Sequence, residues 1–172
     1  GSKKMITPNL FPVVHPFRNV ISPKKLYDHF KAQAVFTNAY IIYKNEKRRD
    51  DVLKKGVHEH LGFPGIIATD SGGFQDYMYS DDIALKPEEI EPFQENIGSD
   101  CPVILDIPVQ TEDPYDVAQQ KVETTISRAK HNIQRRTREN AAWFGPVHGS
   151  VYPDLVKRSA SAMSELDFGF YP

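Results

Sequence analysis

Apolar residues along this chain gather in short runs, separated by longer stretches in which apolar and polar positions alternate with helical spacing. The runs at 10–14, 34–37, 66–68, 102–106, 143–147 and 168–171 read as strands. They are too short for helices, and their continuous apolar character suits strands covered on both faces. Helices are expected between them. Ser22 caps one, with Pro23 in the first helical position, and it runs to about residue 30. A charged amphipathic stretch over 47–61 stops at Gly62. Pro87 opens another, Glu88 and Glu89 suit its positive end, and Gly98 closes it. Asp113-Pro114 starts a long helix whose stripe is Ala118, Val122, Ile126, Ala129 and Ile133, at steps of three and four. A last helix covers 153–166.

Strand alternating with helix implies parallel βαβ units. A (β/α)8 barrel and an open doubly wound sheet both fit. No Gly-x-Gly-x-x-Gly follows the first strand, which weighs against a dinucleotide-binding fold. In a barrel, six strands of eight leave the ring open. Either the chain is part of a larger protein or something else supplies the remaining strands. Residues 1–2 read as a cloning scar and 3–172 as one partial barrel domain.

Composition narrows the function. A net charge of −2 excludes a globally basic nucleic-acid binder but not a local basic patch. Cys101 is the only cysteine, so no internal disulfide forms, and a reducing, cytoplasmic setting is expected. No apolar stretch reaches the ~18 residues of a membrane span.

The candidate chemistry sits where three of the apolar runs end. The third run feeds into Thr69-Asp70-Ser71-Gly72-Gly73-Phe74-Gln75, the fourth into Leu105-Asp106-Ile107-Pro108, and the fifth into Pro146-Val147-His148-Gly149-Ser150. Parallel strands bring their C-terminal ends to one side, where α/β proteins hold their chemistry. Two carboxylates, an imidazole and two glycine-bearing turns would converge there. A carboxylate facing inward without a nearby cation needs donors. The paired N–H groups of a guanine-type edge supply them, and Phe74 offers a flat face for the ring. A second carboxylate beside a glycosidic bond suits acid–base or nucleophilic work. Basic clusters at 44–55 and 128–138 fit either RNA phosphates or solvated helix faces. His58 and His60, two residues apart, do not share a helix face, which argues against a metal site there.

The string Thr69-Asp70-Ser71-Gly72-Gly73-Phe74-Gln75 resembles the hallmark of the tRNA-guanine transglycosylases. Thr7-Pro8-Asn9-Leu10-Phe11-Pro12-Val13, Thr37-Asn38-Ala39-Tyr40 and Gly56-Val57-His58-Glu59-His60-Leu61-Gly62-Phe63 resemble further family segments. Leu105-Asp106-Ile107-Pro108 and Val151-Tyr152-Pro153-Asp154-Leu155 look like the archaeal branch. The resemblance implies a TIM-type barrel of which this chain supplies about six strands. It implies exchange of guanine in tRNA for 7-cyano-7-deazaguanine on the way to archaeosine. It makes Asp70 the catalytic acid–base group and assigns Ser71, Phe74, Asp106, His148 and Gly149 to the base. The implied partners are tRNA and a 7-deazaguanine base, with the rest of the barrel, a complementary subunit or a second copy closing the fold, and no membrane.

Three departures from the family pattern follow, one of them that the family's stretch before Thr7 is missing or replaced by a few residues. The family's nucleophilic Asp lies on a later strand, beyond Pro172, so this segment alone is expected to lack exchange activity. No cofactor is expected in this chain, since the family's Cys/His zinc site also lies beyond it and one cysteine cannot build it. His148 stands where the family usually carries Gln, which bears on base recognition. A non-catalytic transglycosylase-like subunit, or a paralogue holding a modified base, is the alternative.

Overall fold

The computed structural model of the chain describes residues 3–73 and 85–172. Its centre is a three-stranded parallel sheet in sequential order: β1 (Ala34–Asn38), β2 (Ile66–Asp70) and β3 (Cys101–Pro102). In the register, Phe36 stands beside Ala68 and Ala68 beside Cys101. Helices α1 (Pro23–Asp28), α2 (Ala39–Lys44), α3 (Glu46–Leu61), α4 (Pro87–Asn96), α5 (Tyr115–Arg135) and α6 (Pro153–Ser164) complete the described elements. The chain is thus α/β with parallel strands joined through helices, as the alternating pattern requires.

Only three of the six expected strands are ladders. The runs at 10–14, 143–147 and 168–171 each contribute single parallel bridges: Val13 beside Phe36, Phe144 beside Val103, and Phe170 beside Phe144. Each bridge has its own hydrogen bonds. Phe36 N–H donates to Pro12 O and Val14 N–H to Phe36 O, while Phe144 N–H donates to Pro102 O and Gly145 N–H to Phe170 O. The sequence explains why they stay short. Pro12, Pro102, Pro146 and Pro172 fall inside or beside these segments, and proline has no N–H to extend a ladder.

Helices pack on one face of this sheet in two clusters. Val35, Ile67 and Leu105 pack with Ile42 of α2, Val52 and Val57 of α3, and Ile90 and Phe93 of α4. Further along, Ile104, Trp143 and Phe168 pack with the α5 stripe Ala118, Val122, Ile126 and Ala129, and with Leu155 and Met163 of α6. Helix α3 is broken at Gly56 (φ +81°), where a continuous helix was expected. The break frees Val57 N–H, which donates to Ile97 O at the end of α4. At the strands' N-terminal ends, Asp100 accepts from Ile67 N–H and meets His58 and Lys3 at 2.9 Å each. Burial raises the Asp100 pKa, but the hydrogen bonds from His58, Ile67 N–H and Lys3 outweigh it and hold the group at about 2. His60 instead meets Pro16 O, so the two histidines of 58–60 serve different partners.

Candidate active site

The C-terminal ends of β1 and β2 carry polar residues in place of the apolar run, and the expected strand over 102–106 is a ladder only at Cys101–Pro102, so Asp106 lies four residues past β3. Asn38 ends β1 and stands beside Asp70 at the end of β2. Its side chain has two functions. Asn38 Oδ1 caps α2 by accepting from Ile41 N–H, and Asn38 Nδ2 donates to Asp70 Oδ2 at 2.9 Å. Asp70 Oδ1 accepts from Gly72 N–H at 3.1 Å, closing the Asp-Ser-Gly turn. Burial pushes the Asp70 carboxyl above its ordinary pKa. The hydrogen bond from Gly72 N–H opposes that shift, the nearby charge of Asp106 adds to it, and the Asn38 amide opposes it. A carboxyl so placed is poised to hold or release a proton, as acid–base chemistry requires.

Asp106 follows β3, and the neighbouring turn lies directly against it. A Cβ on Gly73 would sit 2.6 Å from both Asp106 O and Asp106 Oδ1, so only glycine lets the Asp70 turn approach this closely. Asp106 Oδ2 meets His148 Nε2 at 2.7 Å, and both side chains are largely buried. The separation is that of a hydrogen bond between the imidazole and the carboxyl. His148 is held in turn by its backbone N–H, which donates to Ser159 Oγ of α6. Gly149 packs against α6 so tightly that a Cβ would lie 2.3 Å from Val156 N. Asp106 and His148 are therefore in contact, and the turn that begins at Asp70 packs against Asp106 through Gly73.

Ser71, assigned to the base from the sequence, is fully buried. Its hydroxyl donates to Ile104 O at 2.9 Å, tying the end of β2 to the segment after β3. Phe74 lies outside the described residues.

Several positioning residues escaped the sequence reading. Leu105, just before Asp106, has both backbone groups held by charged helix side chains. Its N–H donates to Glu91 Oε1 of α4 at 3.2 Å, and its carbonyl accepts from Arg128 of α5 at 3.0 Å. Ile107 N–H, just after Asp106, donates to Thr125 Oγ1 of α5. Glu91 is buried, and its other oxygen accepts from Asn132 and Arg135. Burial raises its pKa, and the Asn132 and Leu105 donors and the Arg135 charge pull against that. Asn38 had a visible signal, since a cap-forming residue at a strand end directly precedes a helix. Glu91, Thr125 and Arg128 had none, because each acts across at least fourteen residues of sequence.

Among the described residues no three His, Cys, Asp or Glu side chains gather as a metal site. Cys101 is buried in β3, and burial, with the neighbouring Asp100 charge, pushes its thiol up to about 12, so it stays protonated and unreactive. No described helix is long and apolar enough to cross a membrane.

Comparison with known proteins matches residues 1–172 to the family model described as queuine tRNA-ribosyltransferase. The chain is 42% identical to the tRNA-guanine(15) transglycosylase of Methanosarcina mazei over 166 residues, covering 96% of this chain and 33% of that protein. It is 37% identical to the tRNA-guanine(15) transglycosylase of Korarchaeum cryptofilum, covering 98% of this chain and 28% of that protein. To the protein of the same description in Methanocaldococcus jannaschii it is 38% identical, over 100% of this chain and 26% of that one. The chain thus spans a third or less of the length of these three relatives.

Proposed function

The chain belongs to the queuine tRNA-ribosyltransferase family, and from that membership we propose that it supplies the base-handling part of a tRNA-guanine exchange site. The replaced base is guanine in tRNA, and the incoming base is 7-cyano-7-deazaguanine, on the way to archaeosine. Residues 3–172 are read as a portion of a (β/α)8 barrel in which the three ladders and three bridges occupy six of the eight strand positions. The protein is read as cytoplasmic. Any zinc of the family's kind would be held by residues other than these.

The observation that carries this reading is the contact of His148 with Asp106, against which the Asp70 turn packs. In the proposed exchange, a carboxylate from outside this stretch attacks C1′ of the ribose as the bond to guanine breaks. Asp70 gives a proton to the departing base and takes one from the incoming base. The incoming base then displaces the enzyme carboxylate from C1′, so configuration is retained. Asp106 accepts the N–H edge of the base, Ser71 and Gly149 shape the site around it, and His148 holds Asp106 in place.

A second reading, a non-catalytic subunit or paralogue, draws on the His148–Asp106 contact. One carboxylate oxygen that a base would use already has a partner. Two measurements separate the readings. Labelled guanine or 7-cyano-7-deazaguanine is incubated with unmodified tRNA and this chain together with the part of the protein that supplies the nucleophilic carboxylate. Incorporation supports exchange, and its absence supports the second reading. Guanine binding to H148A then gives the sign of the histidine's effect. If His148 orients Asp106, affinity falls about tenfold, the worth of one hydrogen bond to a charged group, and H148Q recovers most of it. If His148 blocks Asp106, affinity rises.

A further inference from the structure

The sequence carries two basic clusters, and the structure separates them. In the cluster at the end of α5 the arginines are engaged within the chain. Arg128 holds Leu105 O, Arg135 pairs with Glu88 and Glu91, Arg136 pairs with Asp167, and Arg138 donates to Glu95 O and Ser99 O. Its arginines lie toward a helix C-terminus, where cations are favoured in any case.

The cluster at the α2–α3 corner is different. Four cations stand against one acid, Glu46, between residues 44 and 49. Arg49 is partly occupied, by Asp50 and by Tyr43 O. Among the described residues, Lys44, Lys47 and Arg48 have no carboxylate within 4.0 Å. Lys44 lies 5.5 Å over the Tyr40 ring and Arg48 4.9 Å over the Phe17 ring. Lys47 and Arg48 occupy the first turn of α3, which begins at Glu46. The helix dipole is positive there, so cations cost stability instead of adding to it. A helix-stabilising role does not account for them.

Position supplies the rest. Helix α2 starts on Asn38, whose amide holds Asp70. Its six residues carry the chain only ~9 Å to Lys44. Tyr40 packs at the Asp70 turn, close enough that a Cβ on Gly72 would meet its side chain at 2.5 Å. From there an open depression of about 520 Å³, lined by Tyr40, Ile41, Lys44, Asn45, Glu46 and Lys47, leads along the corner. The cations therefore stand on the same rim as the candidate catalytic carboxylate, within reach of the nucleotides that flank a base bound there.

We infer that Lys44, Lys47 and Arg48 form an RNA-backbone contact surface that receives the phosphates beside the reacting nucleotide. The identity of the RNA rests on the transglycosylase reading; the surface rests on charge, placement and the unfavourable dipole. Phosphate contacts of this kind release counterions, so they set the salt dependence of binding and carry no base information.

The test uses the full chain, an unmodified transcribed tRNA and free guanine. In K44Q/K47Q/R48Q, tRNA affinity near 0.15 M salt falls about tenfold or more. The slope of log affinity against log salt shrinks by about two to three, near one per lost phosphate contact. Guanine affinity stays at the wild-type value. The charge-conserving K44R/K47R/R48K keeps the wild-type slope, which separates charge from folding. An unchanged slope in the Gln variant overturns the surface and leaves the exchange reading standing. Wild-type tRNA binding that is lost in the Gln variant, without base exchange even when the nucleophile-bearing part of the protein is present, overturns the exchange reading and leaves the surface. A wild-type chain that does not bind tRNA overturns both.

Discussion

Asp70 shows how a single residue can be costly to the fold and useful to the site. Its carboxyl is pushed above the ordinary range by burial, and the Asp106 charge adds to the shift. The folded state therefore keeps a proton that the unfolded chain has already lost. As pH rises from the ordinary carboxylate value through the raised one, stability falls, and it levels off above that. Asp70→Asn removes the ionisation. We expect this variant to be more stable at neutral pH by about 0.5–2 kcal/mol, the usual size of a single stabilising change. Thermal melts between pH 3 and 8 check it: the wild-type decline over the lower part of that range should be weaker in the variant. A variant less stable than wild type at pH 7 would show that the hydrogen bonds from Asn38 and Gly72 outweigh the burial. Asp70, Asp106 and His148 were legible in the sequence because each follows an apolar run, and parallel strands bring such positions together. The contact between His148 and Asp106 was not legible, since it joins residues 42 apart through side-chain geometry alone.

Among the elements, the helices were the easier part of the sequence to read. The stripe over 118–133 is buried in α5 up to Ala129, and Pro23, Pro87 and Pro153 each stand at the first helical position. Helix α2 was missed because six residues hold no readable period. Three expected strands shrank to bridges because apolar runs report burial, not hydrogen bonding, and proline interrupts the ladder. What sets the segment after β3 in place is not a ladder either. It is the trio Glu91, Arg128 and Thr125, reaching in from α4 and α5 to the backbone on both sides of Asp106. Glu91→Ala leaves the Leu105 N–H and the Asn132 amide without their carboxylate. Losing these two hydrogen bonds to a charged group costs about 3–6 kcal/mol. Glu91→Gln keeps an acceptor for Leu105 and should cost less than half as much. Denaturant titration measures both. Equal losses would mean that the charge, and not the hydrogen bond to the strand, is what α4 contributes.

At the scale of the whole molecule the two faces of the sheet are unequal. One carries the helices and both apolar clusters. Side chains alternate along a strand, so Phe36, next to buried Val35, faces the other way, and Phe144 and Phe170 follow in register. There the aromatic rings of Phe11, Phe36, Phe144 and Phe170 form a row, with successive centroids 6.4, 5.9 and 4.5 Å apart. None of the four is fully buried, and Val13 and Leu10 beside Phe11 are 85% and 75% exposed. In a closed parallel barrel this face is the packed interior. On residues 1–172 alone nothing among the described helices covers it, and an apolar patch of this kind promotes association. The net charge of −2 offers little electrostatic resistance. We therefore expect the isolated 172-residue chain to associate as its concentration rises and to bind a hydrophobic dye such as ANS. Replacing Phe36 and Phe144 by Ser should weaken both effects while leaving the helical far-ultraviolet signal in place, because neither ring belongs to the helix-side clusters. Sedimentation velocity across a concentration series reads the outcome. A monomer at every concentration, with no dye bound, would mean that the chain covers its own aromatic row, and the open-barrel reading would give way to a fold closed within these 172 residues.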